Sequence, residues 1–207
     1  MTYLAELYDI FLTKITDYRL LNMTEQEIED DLYGYFKSAR ARFYRCRSNL
    51  NILDDANGIK FFGYRKDTIH QIRKDKDIKG NIVVLDTLEA IALEYDVSID
   101  IVKTRNSISD DAELANRRTL YITDALHKVT LTSFEIEVLV NLMLVEHIKP
   151  QLISSENLKQ SLSDKDFKIY SQANQLREIR LLLEKLQKDT NKMIVEYTFF
   201  DLDKERM

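Results

Sequence analysis

The sequence is short of turn formers. Its 207 residues include four Gly and one Pro, against about 14 and about 10 for an average composition of this length. Sandwiches and barrels spend such residues on many turns, so the shortage argues against an all-β fold. It argues equally against a glycine-rich phosphate loop. Cys46 is the single cysteine, which leaves no internal disulfide framework and no multi-cysteine metal site. No run of about 18 apolar residues occurs, so no membrane-spanning helix is expected. Met1 to Glu6 lack the basic and apolar regions of a secretion signal. The expectation is a protein made in a cytoplasm and kept there, or built into something assembled there.

What is present is an ordinary apolar share, 44%, and a net charge of −5 that is unevenly spread. Lys37 to Lys79 holds twelve Lys and Arg against five Asp, a local +7, so the remainder carries −12. Such asymmetry reads either as a solvated face followed by a charged loop or as an oriented contact with a polyanion or an acidic rim.

Helical periodicity dominates both ends. Leu4, Leu7, Tyr8, Phe11, Leu12 and Ile15 form one stripe over residues 3–17. Thr24-Glu25-Gln26-Glu27 has the form of a capping box. The helix it opens is acidic in its first turns and basic in its last, as the macrodipole favours. The pattern places Arg40, Arg42, Arg45 and Arg47 in those last turns, with Phe43 and Cys46 on the apolar stripe. Gly34 inside this helix suggests close approach of a neighbour. Thr132 to Glu135 is a second capping box. The helix after it is apolar on much of its circumference, belongs at the centre of a bundle, and is expected to stop at Pro150. Ser163 to Asp166 signals a third start, followed by an unbroken helix to about Tyr197 that is longer than a compact bundle needs. The aromatic tail after it either folds back on its own bundle or docks on a partner.

Asn51 to Thr123 has another texture. Asn57-Gly58 and Gly80-Asn81 are turns, while Ile59–Tyr64, Ile82–Leu85 and Leu120–Thr123 are β-like. Asp86 is placed to cap a short helix, and another follows Ser98. The fold class expected is mainly α. It is a helical bundle from 1–53 and 126–197, with a small mixed α/β insertion at 54–125 and a C-terminal arm at 198–207.

Signals of catalysis are sparse. His70, His127 and His147 lack metal-ligand spacing. Asp54-Asp55 and Asp110-Asp111 read as turns or caps, Cys46 as a buried hydrophobe, and His147 as a satisfied histidine on the bundle face. No enzyme activity, cofactor or metal is expected. Lys37, Arg40, Arg42, Arg45 and Arg47, interleaved with Phe43 and Tyr44, form a face able to contact phosphates without reading bases. Residues 88–102 have a faint helix–turn–helix look without a basic recognition helix. They support the alternative of a cytoplasmic DNA-binding or regulatory protein using the middle segment.

Tyr3–Phe11, Phe36–Phe43, Leu131–Leu139 through Ile148–Leu152, and Leu158–Asn174 together resemble the head–tail connector proteins of tailed bacteriophages. These neck adaptor, or head-completion, proteins come chiefly from phages of Gram-positive hosts. The resemblance spans roughly 1–53 and 126–200. It implies a structural virion protein with no enzyme activity and no cofactor, assembled in the host cytoplasm. Its copies would form a ring, commonly twelvefold, under the portal protein, contacting further neck or tail proteins and lining the channel for packaged DNA. It implies docking by a terminal arm, which here points to Tyr197, Phe199, Phe200 and Leu202. The basic segment then faces DNA or an acidic partner rim, with no membrane contact. The insertion departs from the family pattern.

Overall fold

A computed structural model describes residues 1–161 and 168–199, with side chains over 1–153, 174 and 176–199. The chain is mixed α/β, predominantly helical with a small sheet, and divides into two compact units: 51–130, with Met1, and 2–50 together with 131–207. Within the described residues no helix is long and apolar enough to cross a membrane.

In the helical unit, α1 spans Leu4–Thr13 and buries Leu4, Leu7, Tyr8 and Phe11. A 3₁₀ turn, Tyr18–Asn22, occupies the expected break, and α2 follows at Glu25–Arg42. Its capping box forms: Thr24 Oγ1 accepts from the Glu27 amide at 3.3 Å, and Glu27 accepts from the Thr24 amide at 2.8 Å. The helix ends at Arg42, a turn earlier than the periodicity implies. Phe43 turns out of helical ψ and is buried. Gly34 is exposed, and a Cβ there would meet nothing within 4 Å. Among the described residues no neighbour approaches, contrary to expectation.

The helix α5, Ser133–Ser161, buries Val138, Leu139, Val140, Leu142, Met143 and Val145 and packs against α1, α2 and α6. Pro150 lies inside it rather than ending it. Proline removes one N–H and crowds the preceding turn, a cost of about 3 kcal/mol. Its fixed φ is itself helical, so a helix held by its other bonds passes through. The last helix, α6, spans Lys168–Phe199. Asn141 reaches Met193, and Glu135 reaches Tyr197, so α5 and α6 run antiparallel. The start signal at Ser163–Asp166, and Phe167, Phe200 and Leu202, lie outside the described residues.

In the other unit, β1 (Ile52–Asp54), β2 (Lys60–Gln71) and β5 (Thr119–Lys128) form an antiparallel sheet in the order β1-β2-β5. A separate hairpin pairs β3 (Lys74–Lys76) with β4 (Ile82–Val84). Because β5 runs to Lys128, a boundary at 125 would cut a strand; the unit closes at Thr130. The helices α3 (Leu88–Glu94) and α4 (Ile99–Asn106) cover a core that includes Ile72, Leu88, Ile91, Val102, Leu114 and Ile122. Ser98 caps α4 through the Asp100 amide at 3.3 Å.

Candidate functional site

The basic stretch of the helical unit is divided between α2 and the loop after it. Lys37 and Arg40 are exposed on α2, with the Lys37 ammonium 4.3 Å from the Tyr33 ring centroid. Arg42 pairs with Glu146 at 3.3 Å. Arg45 and Arg47 lie past the helix end, a correction to their expected place. Arg45 rests on the Tyr44 ring at 5.5 Å, and Arg47 donates to the Tyr197 carbonyl at 3.2 Å. Lys37, Arg40, Arg45 and Arg47 are exposed, and Arg42 and Arg47 hold the contacts just named within the unit.

Tyr197 is buried rather than presented on an arm. Its hydroxyl donates to Glu135 at 2.5 Å and accepts from the Arg47 amide at 3.0 Å. Its ring meets Phe43 edge-on and Phe134 face to face. Glu135 is only 2% exposed. Its oxygens also accept from the Thr132 amide at 2.8 Å, Ser48 Oγ at 3.0 Å and the Cys46 thiol at 3.4 Å. Burial alone would raise its pKa, but the donors, Tyr197 foremost, outweigh it and hold the carboxylate below its ordinary range. Cys46 is half-buried rather than part of a helical stripe, and burial beside Glu135 pushes its thiol up to about 12. The capping glutamate of α5 thus ties the loop after α2 to the end of α6. Thr198 and Phe199 are still helical, and Phe199 is 58% exposed.

His147 is buried between Phe11 and Tyr35, with ring centroids at 5.8 and 5.5 Å. Its Nε2 lies 3.0 Å from the Gln151 amide nitrogen and 3.6 Å from Asp17, whose carboxylate is forked by Arg19. Its Nδ1 has no partner among the described residues, so it is less fully satisfied than expected. Burial lowers its pKa and keeps the ring neutral. The adjoining cavity, lined also by Ile15, Met23, Ile28 and Leu32, holds about 60 Å³. That suits one or two waters and is well below the few hundred Å³ of a small-molecule site.

The α/β unit contains a cluster that sequence spacing does not reveal. His70 on β2 is buried, with Nε2 3.1 Å from Asp86 and Nδ1 3.1 Å from the Tyr95 hydroxyl. Asp86 also accepts from the Arg73 amide and Nε, both at 2.7 Å. Burial opposes its ionisation, yet Arg73 and His70 together bring it down to about 2. Asp86 therefore does not cap α3; Thr87 does, through the Ala90 amide at 3.1 Å. Burial raises the pKa of the Tyr95 hydroxyl. Through Asp86 and Tyr95 the cluster ties β2 to both ends of α3. Of the paired acids, Asp54 lies in β1 rather than a turn, while the other three serve turns or helix starts. Asp55 closes a turn on Asn57 and Ile59, Asp110 caps a 3₁₀ turn, and Asp111 accepts from the Leu88 amide.

The fold also dissolves the charge asymmetry. The α/β unit carries 12 basic and 14 acidic side chains, the helical unit 18 and 21. The local excess survives as one patch, residues 37–47, which hold five basic side chains and no acid. Among the described residues no group of three His, Cys, Asp or Glu is placed to hold a metal. Comparison with protein-family models, curated proteins and solved structures returned no match.

Proposed function

We propose that the chain is a structural subunit of the neck of a tailed bacteriophage. In this reading the helical unit is a bundle whose copies form a ring under the portal and line the DNA channel. The supporting observation is the outer row of α6. Leu183, Thr190 and Tyr197 are buried on one side of this helix. At 100° per residue, Leu181, Val195 and Phe199 fall within about 40° of one line on the opposite side. They are 53%, 51% and 58% exposed, with Lys188 and Lys192 between them. A helix with two apolar sides has a second partner, and a heterologous contact with the next copy closes a ring. Lys37, Arg40 and Arg45 supply phosphate contacts without base readout. Phe200 and Leu202 supply the portal contact, whereas Tyr197 serves the fold.

The test is co-expression with a portal protein from the genome that encodes this chain, read by native mass spectrometry and electron microscopy. The expected result is a ring on the portal that Leu181→Asp with Val195→Asp abolishes while circular dichroism stays unchanged. A wild-type chain that never joins a portal, or a double variant that still forms the ring, refutes the reading.

A further inference from the structure

The connector between α1 and α2 lies over the His147 cavity. Ile15, Leu20 and Met23 contribute to its wall, together with Leu32 and Tyr35 of α2. Among the described residues, the hydrogen bonds of 17–23 close on the connector itself. Asp17 accepts from the Arg19 amide at 3.0 Å and from the Arg19 guanidinium, and its carbonyl accepts from the Leu20 amide at 3.2 Å. The outer side of the turn is bare, with Tyr18 75% and Leu21 81% exposed. What joins it to α5 is the apolar wall and the approach of Asp17 to His147 at 3.6 Å.

That approach falls on an oxygen already in use. Arg19 Nη2 and Nε donate to Asp17 Oδ2 at 2.6 and 3.0 Å, and His147 Nε2 faces the same atom. A neutral ring makes little demand on it, because the Gln151 side chain lies 3.0 Å from Nε2. A protonated ring carries two N–H groups. In either starting tautomer the charged ring then has an Nδ1–H with no acceptor among the described residues, on a side chain only 7% exposed. A buried charge needs a partner. The connector brings Asp17 and Arg19 to the ring, α2 brings Asp31 and Tyr35, and α1 brings only the uncharged Phe11 and Ile15. On α5 itself, Glu146 is turned to Arg42 and Lys149. No charged group of α6 acts on the ring among the described residues. Asp17 is therefore the carboxylate in reach.

We infer that residues 17–23 form an acid-released strap over the His147 cavity: a proton taken from solvent by His147 sets the ring against Arg19 for one oxygen of Asp17, and the connector lifts away. Lifting lets water reach the charged ring and leaves Asp17 with Arg19. The cavity, which suits a water or two, gives that hydration a way in. The sign follows from burial. The folded His147 pKa is lowered, so the closed strap is fully favoured above the ordinary histidine value of about 6.5 and loses ground as pH falls below it. One proton taken up on opening raises the open fraction up to about tenfold for each pH unit. Asp17, held below its ordinary range by Arg19, stays ionised through that interval. The device belongs to the helical unit and does not rest on the neck reading.

The experiment follows amide hydrogen exchange of the full-length chain by mass spectrometry from about pH 7.5 to about pH 4.5, with each rate divided by the intrinsic chemical rate at that pH. Exchange across 17–23 is expected to rise up to about tenfold per pH unit below about pH 6.5, while Val138–Val145 of α5 stay protected. His147→Gln, which cannot take the proton, is expected to flatten that response. Asp17→Asn keeps an oxygen for the Arg19 amide but loses the charge, and is expected to raise exchange across 17–23 already at neutral pH. A flat wild-type response overturns the inference, and so does an unchanged response in His147→Gln or unchanged protection in Asp17→Asn. Loss of α5 protection together with the connector also overturns it, because the opening is then global unfolding. The histidine ring signals of the wild-type chain give a reading free of any variant: His147 must titrate over the same pH interval in which the connector opens, and a mismatch overturns the inference. Portal capture at neutral pH tests the neck reading alone.

Discussion

Replacing Glu135 by Gln tests whether one buried carboxylate fastens the helical unit. The carboxylate accepts from Thr132, Ser48, Tyr197 and Cys46, and two of those donors are backbone amides, Thr132 N at 2.8 Å and Ser48 N at 3.4 Å. An amide side chain puts an NH₂ where one oxygen stood. Whichever way it is turned, an amide or hydroxyl donor then faces another donor. Hydrogen bonds to a charged group contribute about 1.5–3 kcal/mol each, and an abandoned buried donor costs about 1–3 kcal/mol. Losing one good acceptor and the charge amounts to about 2–3 kcal/mol for Glu135→Gln. Glu135→Ala, which abandons every one of these donors including the Thr132 amide of the capping box, costs about 3–5 kcal/mol. The assay is urea unfolding followed by far-UV circular dichroism, which reports mainly the helical unit. A double-mutant cycle with Tyr197→Phe isolates the Tyr–Glu bond, with an expected coupling of about 1.5–3 kcal/mol. The folded pKa of Glu135 is lowered, so its contribution is present above the ordinary glutamate pKa and is lost as pH falls through the folded value. The gap between wild type and Glu135→Ala must therefore narrow in acid. A coupling near zero, or a gap that stays constant from neutral pH into acid, refutes the reasoning.

The other predictions are simpler. Gly34→Ala raises stability by about 0.5–1 kcal/mol, since its Cβ meets nothing. Gly63→Ala lowers it by about 1–3 kcal/mol, since a Cβ there lies 2.9 Å from Phe61 Cε2 and 3.1 Å from the His127 carbonyl oxygen. Thermal melts of both variants give the signs. Asp86→Ala destabilises the α/β unit by about 2–3 kcal/mol at neutral pH. Because its folded pKa is depressed to about 2, that loss shrinks as pH falls from the ordinary carboxylate range toward that value, as amide exchange across β2 and β5 would report. Native Cys46, its thiol pushed up to about 12, reacts with iodoacetamide at neutral pH about a hundredfold or more slower than in the unfolded chain, and Glu135→Gln narrows that difference.

The features legible in the sequence were those in which partners lie within a few residues. Thr24 with Glu27 and Thr132 with Glu135 were readable because a capping box has a fixed spacing of three. The asparagine–glycine and glycine–asparagine turns were readable for the same reason. Asp86 was misread because its neighbour Thr87 offers the same capping chemistry one residue later. Its actual partners, His70 and Arg73, lie 16 and 13 residues away, on β2 and just past its end. Spacing rules do not reach them. The end of α2 was misread because Phe43 and Cys46 continue the apolar period without a break. What stops the helix is tertiary: Phe43 meets the Tyr197 ring at 5.2 Å, and the Arg47 amide donates to the Tyr197 hydroxyl, contacts 154 and 150 residues apart.

Tyr197 shows why a residue's chemistry alone did not decide its role. An aromatic near the end of a long amphipathic helix fits an arm that reaches a partner as well as a latch on its own unit. Glu135 decides between them. A buried carboxylate requires donors, and of those it has, the Thr132 amide is local while Ser48, Cys46 and Tyr197 come from elsewhere in the chain. With Tyr197 committed inward, the residues one helical turn along the opposite side, Val195 and Phe199, are left facing solvent. The same bond that holds α6 on α5 therefore fixes which side of α6 is turned outward. On the neck reading, Glu135→Gln should then weaken ring assembly although it touches no partner, because an unlatched α6 no longer presents Leu181, Val195 and Phe199 in one line.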